Sequence, residues 1–241
     1  MLEKIRGFAI DMRRHSDRHN IVTLFTRERG RVAFLSSAGT GKQARLRNAR
    51  LLPLAVVETE VNFRANRELQ FLGEISSPMP WSDIHFDPVK STLATFLSEF
   101  LNAYLRQSGQ DAALWDFTLD ALRRLDSCRQ GASNFHIAYV VEFFRLAGIH
   151  PDVSDWQEGD WFDMASATFT PTPDTRRPVL APDVAALIPT IARINMRNFP
   201  KFRFSGAQRS ELLGALLRYA GQHFPGLDRL RSPGILAELW R

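Results

Sequence analysis

The chain has 241 residues, 44% of them apolar and 24% charged, with a formal net charge of +5 and one cysteine, Cys128. This is the composition of a folded chain of one large or two small domains, and it excludes low-complexity disorder. A single cysteine excludes an internal disulfide and a Cys-rich zinc site, and no run approaches the ~18 apolar residues of a membrane helix. The opening six residues lack the apolar core of a secretory signal, so a cytoplasmic protein is expected.

Residues 5–12 read as a first strand. Two alternating runs follow, one with Ile21, Leu24 and Phe25 and one with Val32, Phe34 and Leu35. The turn between them, Arg27-Glu28-Arg29-Gly30-Arg31, holds a glycine suited to positive φ, and the whole reads as a β-hairpin. A loop rich in small residues comes next and carries Lys42, Arg45, Arg47 and Arg50. Residues 51–61 read as a fourth strand with Pro53 at its start or on an edge. Residues 62–67 form a turn and residues 69–75 a fifth strand. Five short strands within residues 1–80 predict a small closed barrel such as an OB-fold, although an SH3-like barrel or a small sandwich gives a similar pattern.

The two prolines of residues 76–86 break the pattern, and a domain boundary is placed there. The expected layout is α+β in two domains: a five-stranded OB-fold barrel over residues 1–80, then an α-helical domain over 81–241 with an irregular insert near 149–180. Asp87-Pro88 is an N-cap followed by Pro at the first helical position. Val89, Leu93, Phe96, Leu97, Phe100, Leu101 and Tyr104 then fall on one helical face. Further helices are predicted over 111–128 and 133–147, the latter closed by Gly148. Another begins at Ala181-Pro182 and is divided by Pro189, another is capped by Ser205, and a last one runs from Ser232-Pro233 to Trp240.

Charge is unevenly distributed. Residues 1–80 hold fourteen Lys/Arg against eight Asp/Glu, a net of +6, and the remainder carries −1. A basic module joined to a neutral one is the asymmetry of nucleic-acid binding, and Arg, which forks onto phosphate, dominates the segment. The candidate DNA-binding residues are Arg27, Arg29, Arg31, Lys42, Arg45, Arg47, Arg50, Arg64 and Arg67. Six such contacts give a slope of log K against log salt of about −4 on single strands. Phe63 and Trp81 are the candidates for stacking on bases, though large aromatics are more often buried.

Other motifs carry less. Residues 36–43, SSAGTGKQ, resemble a phosphate-binding P-loop but have Ser for the first Gly and Gln for the Mg²⁺-holding hydroxyl. The six histidines show no metal-ligand spacing, and His136 reads as a core or interface residue. Asp120 with Asp126, and Asp152 with Asp155, read as solvated pairs, so no catalytic group and no enzyme is expected. No cofactor is expected either.

The run Thr23–Val32 (TLFTRERGRV), the small-residue basic loop and Leu52-Pro53-Leu54 resemble the N-terminal part of the RecO family of bacterial recombination mediators. Asp87-Pro88-Val89-Lys90-Ser91, Ser133-Asn134-Phe135-His136, Gly159-Asp160-Trp161-Phe162-Asp163, Phe169-Thr170-Pro171 and Phe202-Arg203-Phe204-Ser205 extend the likeness over nearly the whole chain, to the zinc-free type of Bacteroidetes-like bacteria. The resemblance implies an OB-fold followed by a helical domain, with binding to single- and double-stranded DNA and annealing of complementary strands. It also implies docking to the C-terminal tail of single-strand-binding protein, and work with RecR to help RecA load at gaps in a nucleoid-associated setting. The tail ends in acidic and apolar residues and needs an apolar groove with a cation, for which Arg124 and Arg145 are the candidates. Many relatives hold zinc on four cysteines, so here residues 149–175 are expected to be held by packing. The rival reading is a general OB-type module for single-stranded DNA or RNA without mediator activity.

Overall fold

In the computed structural model, residues 2–63, 69–174 and 176–239 are described. Contacts divide the chain into two compact units, Met1–Asp120 and Ala121–Arg241.

The first unit is a barrel with helices on its outer face. Its strands are β1 (Glu3–Arg14), β2 (His19–Thr26), β3 (Gly30–Ser37), β4 (Val56–Val61), β5 (Gln70–Phe71) and β6 (Ile75–Met79), ordered β5-β3-β2-β1-β4-β6. The predicted fifth strand is therefore split. Its first half pairs parallel with β3 and its second half antiparallel with β4, so one segment joins both edges of the sheet and closes an OB-fold. Gly73 lies in the break, where a Cβ would meet the Glu60 carbonyl oxygen at 2.8 Å. Alternation along the strands fills the interior with Ile5, Ala9, Val22, Leu24, Phe34, Val57, Val61 and Ile75.

Two further differences from the sequence reading have local causes. The basic loop is a helix, α1 (Lys42–Ala49), between β3 and β4. It buries no residue, so it has no apolar stripe to read, yet Lys, Gln, Ala, Arg and Leu are all good helix formers. The fourth strand begins only at Val56, because Pro53 lacks an N–H and Leu54 takes a φ of 60°. Leu54 is held there by donating to the Ala9 carbonyl at 2.7 Å and accepting from the Trp81 indole at 2.9 Å.

The barrel's outer face is apolar around Phe8, Ile10 and Phe25, all buried. It is covered by α2 (Pro88–Tyr104) and the beginning of α3 (Ala112–Ser127). Asp87 caps α2 by accepting from the Val89 and Lys90 N–H groups. Trp115 packs against Phe8 at 5.1 Å and donates its indole N–H to the Phe25 carbonyl at 3.2 Å. Each large ring buried this way contributes about 1.5–3 kcal/mol. At the turn between β2 and β3, Gly30 has a φ of 62°, and a Cβ there would meet the Gly109 carbonyl oxygen at 2.6 Å.

The second unit is built around α4 (Phe135–Leu146), which is buried almost all round, as expected of a central helix. A three-stranded sheet of β7 (Trp161–Asp163), β8 (Thr168–Thr170) and β9 (Val179–Leu180) forms within the insert. Phe162 ties this sheet to the helices, with its ring 5.6 Å from Tyr219 and 5.1 Å from Phe169. The Tyr219 hydroxyl donates to the Ile149 carbonyl at 2.5 Å, and burial pushes its pKa up to about 12. Packing and these polar ties hold the segment. The helix expected from Ala181-Pro182 is divided into short α5 (Pro182–Ala185) and α6 (Ile188–Ile191), with the gap at residues 186–187 and Pro189 in the first turn of α6 rather than at the break. A Ser205–Gln208 capping box opens α7 (Gly206–His223), and α8 (Ser232–Leu239) follows. No helix among the described residues is long and apolar enough to cross a membrane.

Candidate nucleic-acid interface

The cations of the basic stretch fall into three groups. At the hairpin turn, Arg27 donates Nε and Nη2 to the two carboxylate oxygens of Asp116, both at 2.9 Å. This hydrogen bonding raises the pKa of Arg27 and lowers that of Asp116. Arg29 forks onto Glu3 at 3.1 and 2.7 Å and lies over the Phe63 ring, 4.2 Å from its centre. The same hydrogen bonding lowers the pKa of Glu3. Both arginines are thus engaged by carboxylates within their own unit.

A second group is bonded to backbone. Arg47 donates to the Ser37 carbonyl, and Arg50 to the Ile75 carbonyl at 2.9 Å. These bonds tie α1 and its C-terminal end to β3 and β6, and they leave the positive charges without a counter-ion among the described residues. Lys42 and Arg45 on α1 are exposed and form no ion pair among the described residues.

The third group joins Arg31, a candidate from the sequence, to Arg13 and Arg106, which the sequence did not single out. Arg31 is half-buried and donates Nε to the Asn102 side-chain oxygen at 3.0 Å. Its pKa is lowered first by burial and then by the nearby positive charge of Arg106, with Arg13 adding to the effect and Asp11 opposing it. Arg13 and Arg106 are exposed and unpaired by carboxylates among the described residues. Three guanidinium groups with one acid near them make a surface that repels itself and is relieved by a phosphate. Arg13 lies near the end of β1, Arg31 near the start of β3 and Arg106 just after α2, so no local spacing in the sequence marks the cluster. Only the strand register and the helix crossing bring it together.

Arg64 and Arg67 lie outside the described residues. Of the two aromatic candidates, Trp81 is buried, its indole held by Leu54, and cannot stack on a base. Phe63 is partly buried against the barrel interior beneath Arg29. His136 is a core residue, its pKa lowered to about 3 by burial and then by Arg209. No group of three or more metal-ligating side chains occurs among the described residues.

Of the candidates for the tail site, Arg124 is an exposed side chain on α3. Arg145 donates to the carbonyls of Ala192 and Ile194 and pairs with Glu142 at 3.2 Å. Ala192 lines an apolar cavity of about 20 Å³ walled by Phe144, Phe162, Ile188, Leu216 and Tyr219. Arg145 therefore sits against the wall of an apolar pocket, within its own unit.

Two family models cover the chain almost end to end: "Recombination protein O N terminal" matches residues 1–78 and "Recombination protein O C terminal" matches residues 85–232. The chain belongs to the RecO family. Among curated relatives, it is 31% identical over 241 residues to the DNA repair protein RecO of Bacteroides fragilis, covering all of both chains. It is 32% identical over 240 residues to that of Phocaeicola vulgatus, again covering all of both, and 30% identical over 242 residues to that of Porphyromonas gingivalis, covering 98% of each. RecO is thus a family of DNA repair and recombination proteins in which this barrel-and-helix layout is shared between the two matched regions. The arginine cluster is assembled from the barrel and from the end of α2, and so draws on both matched regions.

Proposed function

We propose that this protein binds DNA through the open cations of its barrel unit and anneals complementary strands in repair and recombination. With RecR, it helps RecA load onto single strands coated by single-strand-binding protein. Family membership supports the repair role. The observation that carries the DNA-binding reading is the cluster of Arg13, Arg31 and Arg106, which concentrates positive charge that the fold leaves largely unneutralised. Phosphates of two strands repel each other, and a cationic surface contacting both reduces that repulsion and raises their local concentration. The process needs no covalent step, so no catalytic group is assigned.

The tail of single-strand-binding protein is proposed to dock in the second unit, with its apolar end in the pocket beside Arg145 and its acidic residues on that guanidinium. The pocket has room for about one water, so docking requires α5 and α6, which supply part of its wall, to move outward.

The test is annealing of complementary oligonucleotides precoated with single-strand-binding protein. The parent is expected to accelerate annealing, with a slope of log K against log salt of about −3.5 on naked single strands if five cations engage. Binding without annealing would reduce the reading to a general OB-type module. Titration of an acidic-apolar tail peptide against Arg145→Glu, read by fluorescence polarisation, tests the docking site.

A further inference from the structure

Phe71 is 56% exposed, an unusual position for a phenylalanine inside a strand. Its neighbours point inward: Gln70 is buried and Leu72 packs on the barrel core. Strand alternation therefore sends the Phe71 ring outward from the closing strand. Register places Arg13, Ile21, Leu35 and Phe71 in one row across β1, β2, β3 and β5. At the usual strand spacing, the row runs about 14 Å from the arginine to the phenylalanine. The His19 ring lies 6.4 Å from Phe71 at an interplanar angle of 65°, so the two rings are not stacked on each other. Beside them the β1–β2 turn carries Arg18, exposed and without an ion pair among the described residues.

We infer that Phe71, flanked by His19, is a stacking platform for unpaired nucleobases. A single strand laid along the row sets a phosphate on Arg13, spans the buried Ile21 and the half-buried Leu35, and rests a base on the Phe71 ring. A duplex keeps its bases within its own stack and cannot use the ring, so Phe71 favours single strands while the arginines hold either form. This inference rests on the DNA-binding reading above and adds strand preference to it.

The test compares the parent with Phe71→Leu, which keeps apolar cover but has no π face, and with Phe71→Trp, which restores one. Anisotropy titrations use an oligothymidylate of about 16 nucleotides, an abasic strand of equal length and a duplex. Expected for Phe71→Leu is a loss of about fivefold or more on the oligothymidylate, an unchanged salt slope, and affinities for the abasic strand and duplex within about twofold of the parent. Phe71→Trp should bind the oligothymidylate at least as well as the parent. Equal losses on all three ligands, or no loss on any, would overturn the inference. The second outcome with a DNA-binding parent would leave Phe71 as a contact for a protein side chain. A parent that binds none of the three would overturn the DNA-binding reading along with it.

Discussion

The hairpin turn and the Arg13–Arg31–Arg106 cluster are both rich in arginine, yet the fold treats them oppositely. Arg27 and Arg29 each meet a carboxylate in bidentate geometry, and Arg29 also covers an aromatic ring. Arg31 meets an uncharged amide and two further guanidinium groups. The turn uses its charge to fasten β-strands to the first residues of the chain and to α3. The cluster keeps its charge open to a ligand. A run of like residues therefore reveals how much charge a segment carries, while the carboxylates brought to it from elsewhere decide how much is left for a ligand.

That contrast can be broken at either side. The largest effect is expected from Arg13→Ala with Arg106→Ala. Two lost phosphate contacts should weaken single-strand binding about 25-fold at ~0.1 M salt, at about 0.7 decades per contact per decade of salt, and flatten the salt slope by about 1.4. An unchanged slope would show that the cluster does not face the phosphates. The converse pair, Glu3→Gln with Asp116→Asn, releases Arg29 and Arg27 from their carboxylates. Binding should tighten and the slope steepen, by up to about 1.4, if the turn lies within reach of DNA. No change would mark the turn as purely architectural.

The second unit handles a potential charge differently again, by excluding it. His136 stays neutral in the fold to about pH 3, well below its ordinary 6.5. Between those values the unfolded chain takes up a proton that the folded chain refuses. Stability is therefore complete above the ordinary value and falls as pH decreases, with a limiting slope of about 1.4 kcal/mol per unit. Urea unfolding across this window should show the slope, and His136→Leu should flatten it. Smallest of all, Ser205→Ala removes the α7 cap and should lower stability by about 1 kcal/mol. It should leave DNA affinity untouched, which makes it the control for variants that act only through folding.

Much of the architecture was legible in the sequence because it is written locally. Alternation marked β1 to β3, Asp87-Pro88 and Ser205 marked helix starts, and Gly30 marked a turn that does take positive φ. What escaped had no local signature. Helix α1 buries nothing, and the closing strand is divided by two different pairing partners. The candidate site was less legible than the fold. Lys42 and Arg45 emerge open, but the engagement of Arg27 depends on a residue in α3, and the Arg13–Arg31–Arg106 cluster depends on three distant stretches meeting. Phe71 was hidden for a similar reason: in an alternating strand, an outward phenylalanine looks the same as an inward one until the register is known.

The tryptophan of α3 has a consequence for how this protein can be divided. Trp115 and α2 are the roof over Phe8, Ile10 and Phe25, so a chain cut after residue 80 would leave a barrel with an oily flank and Arg27 without its acid. Such a fragment should self-associate on size-exclusion chromatography. The smallest portable piece of this molecule is accordingly longer than its barrel, and any exchange of barrels between relatives would have to carry the overlying helices along.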